Sequence, residues 1–140
     1  MGMNDFSASI DLLQRGMDVA SLRYQVTANN LANSEVPNYK KQYVNFESEL
    51  KRAFESRDNA HDTFKMQTSD PRHIQSESPR DWRDVSPRRV TDYVTTAKSN
   101  GNNVDAEEEA MNITKIQMQY RLLTQLTNFQ FNQIKTAIKK

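Results

Sequence analysis

Apolar residues recur in alternating steps of three and four at both ends of the chain. The N-terminal series is Phe6, Ile10, Leu13, Met17, Ala20, Tyr24, Ala28 and Leu31. Such spacing predicts a helix with a heptad-like seam held over about three and a half heptads. Leu12, Val19 and Val26 form a second line that widens the stripe. The C-terminal series is Ile113, Ile116, Tyr120, Leu123, Thr127, Phe131, Ile134 and Ile138, and Met111, Met118, Leu122, Leu126 and Phe129 add a second face. A helix with two apolar faces needs more than one neighbour. This second helix is predicted over Val104 to Lys140. Asp105 with Glu108 resembles a capping box, the run Glu107-Glu108-Glu109 suits the positive end of a helix dipole, and Lys135, Lys139 and Lys140 suit the other end. Roughly 34 residues at about 1.5 Å each would span about 50 Å, too long for a small globule. Asp5 or Ser7 could cap the first helix. Gly16 inside it costs about 1 kcal/mol against Ala, so a close helix contact or a bend is expected there.

Between the helices the pattern changes. In the stretch from Ala28 to Lys40, Val36 precedes Pro37 and is pushed to extended backbone. Pro37 and Asn38 suit the two central positions of a type II turn over Val36-Pro37-Asn38-Tyr39. Asn29, Asn30 and Asn33 crowd the last helical turn before it, and Asn amides compete with the helix backbone. Those amides are therefore expected to bond across to another chain segment. Residues 39–56 hold a shorter helical pattern on Phe46, Leu50, Ala53 and Phe54, with Asn45 as cap and Glu47 and Lys51 as an i,i+4 pair. Residues 57–89 contain Asp70-Pro71, Ser78-Pro79 and Ser86-Pro87 with few aliphatics, and read as loop-rich or disordered. Arg89 to Ala97 alternates like a strand and is expected to pair with residues near Phe64 to Thr68. Asn100-Gly101-Asn102 reads as a turn.

The expected fold is mainly α: two long terminal helices in an antiparallel coiled-coil-like pair, with a polar, loop-rich middle holding a short helix and a small β element. The segments are 1–38, the N-terminal helix and turn; 39–56, the short helix; 57–103, the polar middle; and 104–140, the C-terminal helix. Pairing the seams leaves Leu12, Val19, Val26, Met111, Met118, Leu126 and Phe129 for other copies. Heterologous contacts of that kind build a helical or tubular assembly rather than a closed dimer.

Composition supports an elongated, neighbour-dependent chain. The hydrophobic fraction is 36% and the mean hydropathy −0.88, against roughly 45–50% apolar residues in globular domains. A formal charge of +1 argues against a dedicated nucleic-acid binder. The absence of cysteine excludes disulfide and thiol chemistry. No apolar run reaches the length of a membrane span, so no membrane insertion is expected. The start, Met1-Gly2-Met3-Asn4-Asp5-Phe6, has neither the basic nor the apolar region of a cleaved signal peptide, and Phe6 rules out a myristoylation signal.

Candidate chemistry is sparse. His61 and His73 lie in the polar middle without metal-ligand spacing and read as exposed loop residues. The cluster Asp105, Glu107, Glu108 and Glu109 is better explained by its place at a helix start than as a metal site. There is no phosphate loop, G-x-S-x-G motif or cysteine nucleophile. No catalytic, cofactor-binding or metal-binding residue is expected, and the chain does not read as an enzyme. Arg72, Arg80, Arg83, Arg88 and Arg89 with Trp82 could suggest nucleic-acid stacking. Glu77, Asp81 and Asp84 are interleaved with them, so a solvated surface loop is the better reading. Contact of this patch with acidic partners or cell-wall polymer is a further hypothesis.

Asn30-Leu31-Ala32-Asn33 followed by Val36-Pro37-Asn38-Tyr39-Lys40 resembles the N-terminal motif of bacterial flagellar rod and hook proteins, N-[IL]-A-N, a short gap, then T-P-G-Y-K. Val36 stands where that family has Thr and Asn38 where it has Gly; Asn is the next-best residue for positive φ. Gly101-Asn102-Asn103-Val104-Asp105, the acidic run and Tyr120 resemble the start of the family's C-terminal helix. Gln67 to Ile74 resembles a T-D-P-x-H-I segment of the proximal-rod branch, with Ser69 as an extra residue.

The resemblance implies a structural subunit of the basal-body rod that transmits torque from the membrane ring to the hook. It implies export by the flagellar type III apparatus without a cleaved signal, and location in the basal body within the cell envelope. Implied partners are other copies, other rod proteins and the adapter joining the rod to the membrane ring, with no nucleic acid. Assembly is expected to use Leu13, Met17, Tyr24, Asn30, Leu31, Asn33, Pro37, Tyr39, Ile116, Tyr120, Leu123, Phe131 and Ile134. Isolated monomers are expected to have largely disordered ends, because free helices are marginal. The alternatives are another rod protein of the same architecture, or a soluble helical adaptor or regulator built on a coiled-coil hairpin.

Overall fold

In a computed structural model, residues 3–60, 80–95 and 98–139 are described. They fall into two compact units, Met1–Val44 with Arg89–Lys140, and Asn45–Arg88.

The first unit is built on helix α1, Met3–Ala32, and helix α3, Ala106–Ile138. The two long terminal helices pack together, and the pairs they form run in opposite directions along the chain. Phe6 meets Phe131 edge to face at 6.0 Å. The Thr124 hydroxyl lies 3.9 Å from Met17 Sδ. Near the other end, Asn30 donates to Glu109. Gly16 lies against Leu123: a Cβ on Gly16 would stand 3.3 Å from Leu123 Cδ1. The helical glycine thus serves close approach, as expected.

The register differs from the apolar pattern beyond Ala20. Tyr24, placed on the predicted seam, is 42% exposed, whereas Val19 and Val26, reserved for other copies, are 3% and 4% exposed. Buried Ala20, Thr27, Asn30 and Ser34 recur at steps of seven, three and four and mark the inward line. Three of those four residues are polar. A search for apolar periodicity steps over them onto Tyr24, Ala28 and Leu31. Along α3 the inward line holds Glu109 and Ile116, both buried, then half-buried Leu123, Thr127 and Ile134. Met111, Met118, Leu122, Leu126 and Phe129 stay exposed, as the second-face reading requires.

After α1 the chain makes the expected turn. Asn38 takes φ 62°, and Tyr39 N–H donates to Val36 C=O at 3.3 Å. Residues 39–56 are expected as a short helix, but Gln42–Asn45 forms strand β1 and the helix begins only at Glu47. Strand β1 pairs antiparallel with β2, Arg88–Thr91. Tyr43 and Val44 are β-formers, and Lys41 C=O accepts from Asp92 N–H at 2.9 Å. The partner of β2 is therefore β1. The expected partner near residues 64–68 lies outside the described residues, as do Arg72, both histidines and the Gln67 to Ile74 segment. The strand also stops short of Ala97. The Asp92 carboxylate accepts from Val94 N–H at 2.9 Å, from Thr95 N–H at 3.0 Å and from the Thr95 hydroxyl, which folds the backbone into a local turn. The Thr95 hydroxyl, first among these donors, holds the Asp92 carboxyl below its ordinary value.

In the second unit, helix α2 spans Glu47–Ala60. Its first turn is closed by Leu50 N–H donating to Phe46 C=O at 2.9 Å, so Phe46 takes the position expected of Asn45. Asn45 accepts from the Ser48 hydroxyl instead. Lys51 pairs with Glu55 at 3.6 Å. Phe54 stacks on Trp82 with ring centroids 6.2 Å apart. Trp82 opens a short 3-10 turn, Trp82–Asp84, whose first residues are capped by the Asp81 side chain. Arg83 covers the indole at 4.6 Å, and Trp82 is buried. The aromatic ring of the basic patch is thus used in packing, while Arg80, Arg83, Arg88 and Arg89 are exposed, the solvated arrangement.

Enlarging residue 16 should separate the helices. Gly16→Leu is expected to destabilise the chain by about 1–3 kcal/mol through overpacking. Gly16→Ala should stay within about 1 kcal/mol of wild type, because helix propensity offsets a small shift of Leu123. Denaturant unfolding followed by far-UV circular dichroism measures both.

Candidate functional site

The densest polar structure in the first unit joins the end of α1, the turn that follows and the residues leading into α3. Asn30, 2% exposed, sits at its centre. A side-chain amide offers two N–H donors and two lone pairs, and Asn30 uses all four. Its Nδ2 donates to Gln42 C=O at 2.7 Å and to Glu109 Oε2 at 3.1 Å. Its Oδ1 accepts from Gln42 N–H at 3.0 Å and from the Tyr39 hydroxyl at 3.2 Å. Toward Gln42 the amide acts as a strand neighbour would, satisfying both main-chain groups on one edge of β1. Arg23 donates to Val44 C=O at 3.3 Å along the same strand. An edge strand treated this way offers little to foreign strands.

Asn102 holds the other side. It is fully buried, and its Nδ2 donates to Asn33 C=O at 2.9 Å and Val36 C=O at 2.7 Å. These are main-chain acceptors at the end of α1 and in the turn. Its Oδ1 accepts from Val104 N–H at 2.7 Å. Asn103 accepts from Lys41 N–H at 2.7 Å and donates to Asp92 C=O at 2.9 Å, tying the turn to the end of β2. Lys40 Nζ donates to Gly101 C=O at 2.8 Å, and Asn38 N–H donates to Asn100 C=O at 3.0 Å. Gly101 has φ 81°, and a Cβ there would collide with the Asn38 side chain. Glycine is required on both counts. Asp105 then caps α3, accepting from Glu107 and Glu108 N–H groups.

Glu109, 5% exposed, is the charged member of the junction. Burial pushes its carboxyl above the ordinary range, and the hydrogen bond from Asn30 and the charge of Lys41 offset only part of that. Burial, then the charge of Glu109, raises the Tyr39 hydroxyl as well. Lys41 itself pairs with exposed Glu108 at 3.8 Å. Among the described residues no group of three or more His, Cys, Asp or Glu is placed to hold a metal ion, and no helix is long and apolar enough to cross a membrane.

The two segments brought together here, Asn30 to Lys40 and Gly101 to Asp105, are the two that resemble rod proteins. The comparison with known proteins agrees. The flagellar basal body rod protein FlgB of Borreliella burgdorferi is 39% identical over 137 residues, covering 98% of this chain and all of that protein. The chain belongs to the FlgB family of flagellar basal-body rod proteins. FlgB of Borrelia hermsii is 37% identical over the same length, and FlgB of Bacillus subtilis is 30% identical over 138 residues, 97% of each chain. No family model matches the chain.

In this FlgB-family chain the residues expected to serve assembly divide by position. Asn30 and Tyr39 lie inside the junction, and Ile116 is buried beside it. Leu13, Met17, Leu123 and Ile134 are half-buried along the helix pair, as is Leu31 near the end of α1. Tyr24, Pro37, Tyr120 and Phe131 are exposed. The Asn33 amide, expected to reach another segment, bonds back to Asn29 C=O at 2.7 Å. It is the Asn33 main-chain carbonyl that bonds across. The sequence placed Asn102 in a turn, Asn102 and Asn103 in the rod-like entry to α3 and Glu109 in an acidic helix start, but pointed to no bonding role for them or for Gln42 and Lys41. For Glu109 a signal was present: it lies four residues before Ile113 and seven before Ile116, on the seam rather than on the exposed start of the helix with Glu107 and Glu108.

Truncating Asn102 leaves Val104 N–H without its partner and removes one of two donors from Asn33 C=O and from Val36 C=O, which keep Val36 N–H and Tyr39 N–H. Because an unsatisfied buried group costs about 1–3 kcal/mol, Asn102→Ala should lose about 1–3 kcal/mol of unfolding free energy. Gly101→Ala should destabilise through strain at positive φ, typically about 1–3 kcal/mol. Urea titrations of the purified chains test both.

Proposed function

We propose that this rod protein is a structural subunit of the proximal rod that assembles with copies of itself and other rod proteins through its terminal helices and carries torque from the membrane ring to the hook. The observation that carries the reading is the exposed line Met111, Met118, Leu122, Leu126 and Phe129 on a helix whose opposite face is taken by α1. A family of rod components with an unpartnered apolar helix face fits packing against neighbouring subunits. Such contacts are heterologous and generate an open helical array.

Mechanically, the junction sets where the N-terminal helix ends and where the following segment departs, while the paired helices bear on their neighbours. The buried residues of the first unit gather between Val19 and Ser34 on α1 and its turn, at Val44 of β1, and between Asn102 and Ile116 at the start of α3. Toward Phe6 and Ile138 the pair has no buried side chain among the described residues. Those ends gain most from neighbours, so assembly completes their folding. The same subunit would leave the cell through the flagellar type III apparatus without a cleaved signal, and would adjoin the adapter between rod and membrane ring. It acts as a building element and not as an enzyme.

Replacing Leu122 and Phe129 together by Asp should leave the helix pair folded while abolishing rod incorporation and swimming. Swimming at the wild-type rate by cells that carry the double variant as their sole copy would sink the proposal. Far-UV circular dichroism combined with sedimentation gives a second check. Helicity that falls short of the full helix pair in a dilute monomer, because the ends toward Phe6 and Ile138 are unfolded, and that rises with polymerisation is expected. High helicity in a discrete small oligomer would favour a coiled-coil adaptor.

A further inference from the structure

The junction contains a group that its structural role does not need. Asn30, Asn102 and Asn103 tie the chain with neutral hydrogen bonds, yet Glu109 places an ionisable carboxyl among them at 5% exposure. Among the described residues it receives one hydrogen bond, from the uncharged Asn30 amide at 3.1 Å. A buried carboxylate needs either a cation or several donors to hold its charge.

The charged and titratable surroundings do not supply that. From the turn before β1, Tyr39 and Lys41 act on Glu109, and the Lys41 ammonium has its ion pair with Glu108 at 3.8 Å. On α3, Asp105 and Glu108 add like charge. Arg23 of α1 and Lys115 of α3 line a cavity of about 240 Å³ that Glu109 also borders, and Arg23 is bonded to Val44 C=O. The Asn30 amide that touches Glu109 is the same one that seats Tyr39 and Gln42. Strain on the carboxylate is therefore passed directly to the contact between the turn and β1.

We propose that Glu109 is a proton-operated latch on the junction. In the neutral form it lets the turn after α1 seat firmly against the start of α3. In the ionised form it weakens that seat and makes the two ends of the chain easier to part. The sign follows from the raised carboxyl: the folded chain binds more protons than the unfolded one. Stability contributed by Glu109 is complete at pH below the ordinary Glu value and is lost as pH rises through the higher folded value. The structural alternative is a plain buried hydrogen-bond acceptor, whose removal would shift stability equally at every pH.

The test is urea unfolding of the full chain between pH 4.5 and 8, followed by far-UV circular dichroism, for wild type and Glu109→Gln. Glutamine keeps an acceptor for Asn30 and cannot ionise. Relative to the variant, the wild-type midpoint should fall as pH rises. Parallel midpoint profiles for the two chains would overturn the latch, and so would the absence of any cooperative transition, since the junction would then not close in the free chain. If Glu109→Gln does not fold, the carboxyl carbon resonance of Glu109 in wild type decides. Titration above the ordinary Glu value of about 4.3 is expected, and titration at that value would refute the proposal.

Discussion

One amide group carries the organisation of the larger unit. Asn30 ends the inward line of α1, completes the main-chain bonding of Gln42, receives the Tyr39 hydroxyl and meets Glu109 on α3. Each hydrogen bond contributes modestly in net terms, about 1 kcal/mol, but its loss would leave a buried (Glu109) or half-buried (Tyr39, Gln42) group without that partner. A residue with all four positions used tolerates no shift in the angle between helix, turn and strand. The apolar side chains around it, Val26, Val44, Val104 and Ile116, provide the burial, but they do not define direction in this way.

From that fixed end the helix pair becomes progressively thinner in core. Gly16 brings α1 close to Leu123, and the Phe6–Phe131 contact lies near the far end. Beyond the junction, Met111, Met118, Leu122, Leu126 and Phe129 of α3 stay exposed outside the pair. For a chain that acted alone, an apolar line of this length would be an aggregation hazard. For a member of a rod family it is the surface on which assembly can draw. In the proposed assembly the polar junction would set geometry and the exposed apolar faces along the helix pair would supply binding.

Much of this was legible in the chain. The two terminal helices, their antiparallel pairing, the type II turn at Asn38, the Gly101 turn and the cap at Asp105 all follow from local rules, because each rests on periodicity or on the conformational limits of one or two residues. The N-L-A-N and G-N-N-V-D segments stood out through their resemblance to rod-protein motifs. Their mutual contact did not, since nothing local links residues 30 and 102. The errors in the helix register share one cause. Thr27, Ser34 and Glu109 are inward although polar, and a hydrophobic pattern assigns polar residues to solvent, whereas the cross-chain bonding of the Asn30 amide was expected. The same bias exchanged Tyr24 for Val26.

The strands show the same division at smaller scale. Alternation at Arg89 to Ala97 suggested a long strand, and Asp92 ended it by capturing the backbone of Val94 and Thr95. Residues 42–45 have only four positions in which to declare themselves, too few for a period to be distinguished from a helix lead-in. The amino-acid sequence by itself determined the helices, their approximate length and the turns, because these depend on neighbours a few positions apart. Tertiary structure alone decided which strand pairs with which, which polar side chains go inside and that Glu109 faces Asn30. Those outcomes depend on groups 12 to 79 positions apart whose hydrogen bonds have meaning only when the partner is in place.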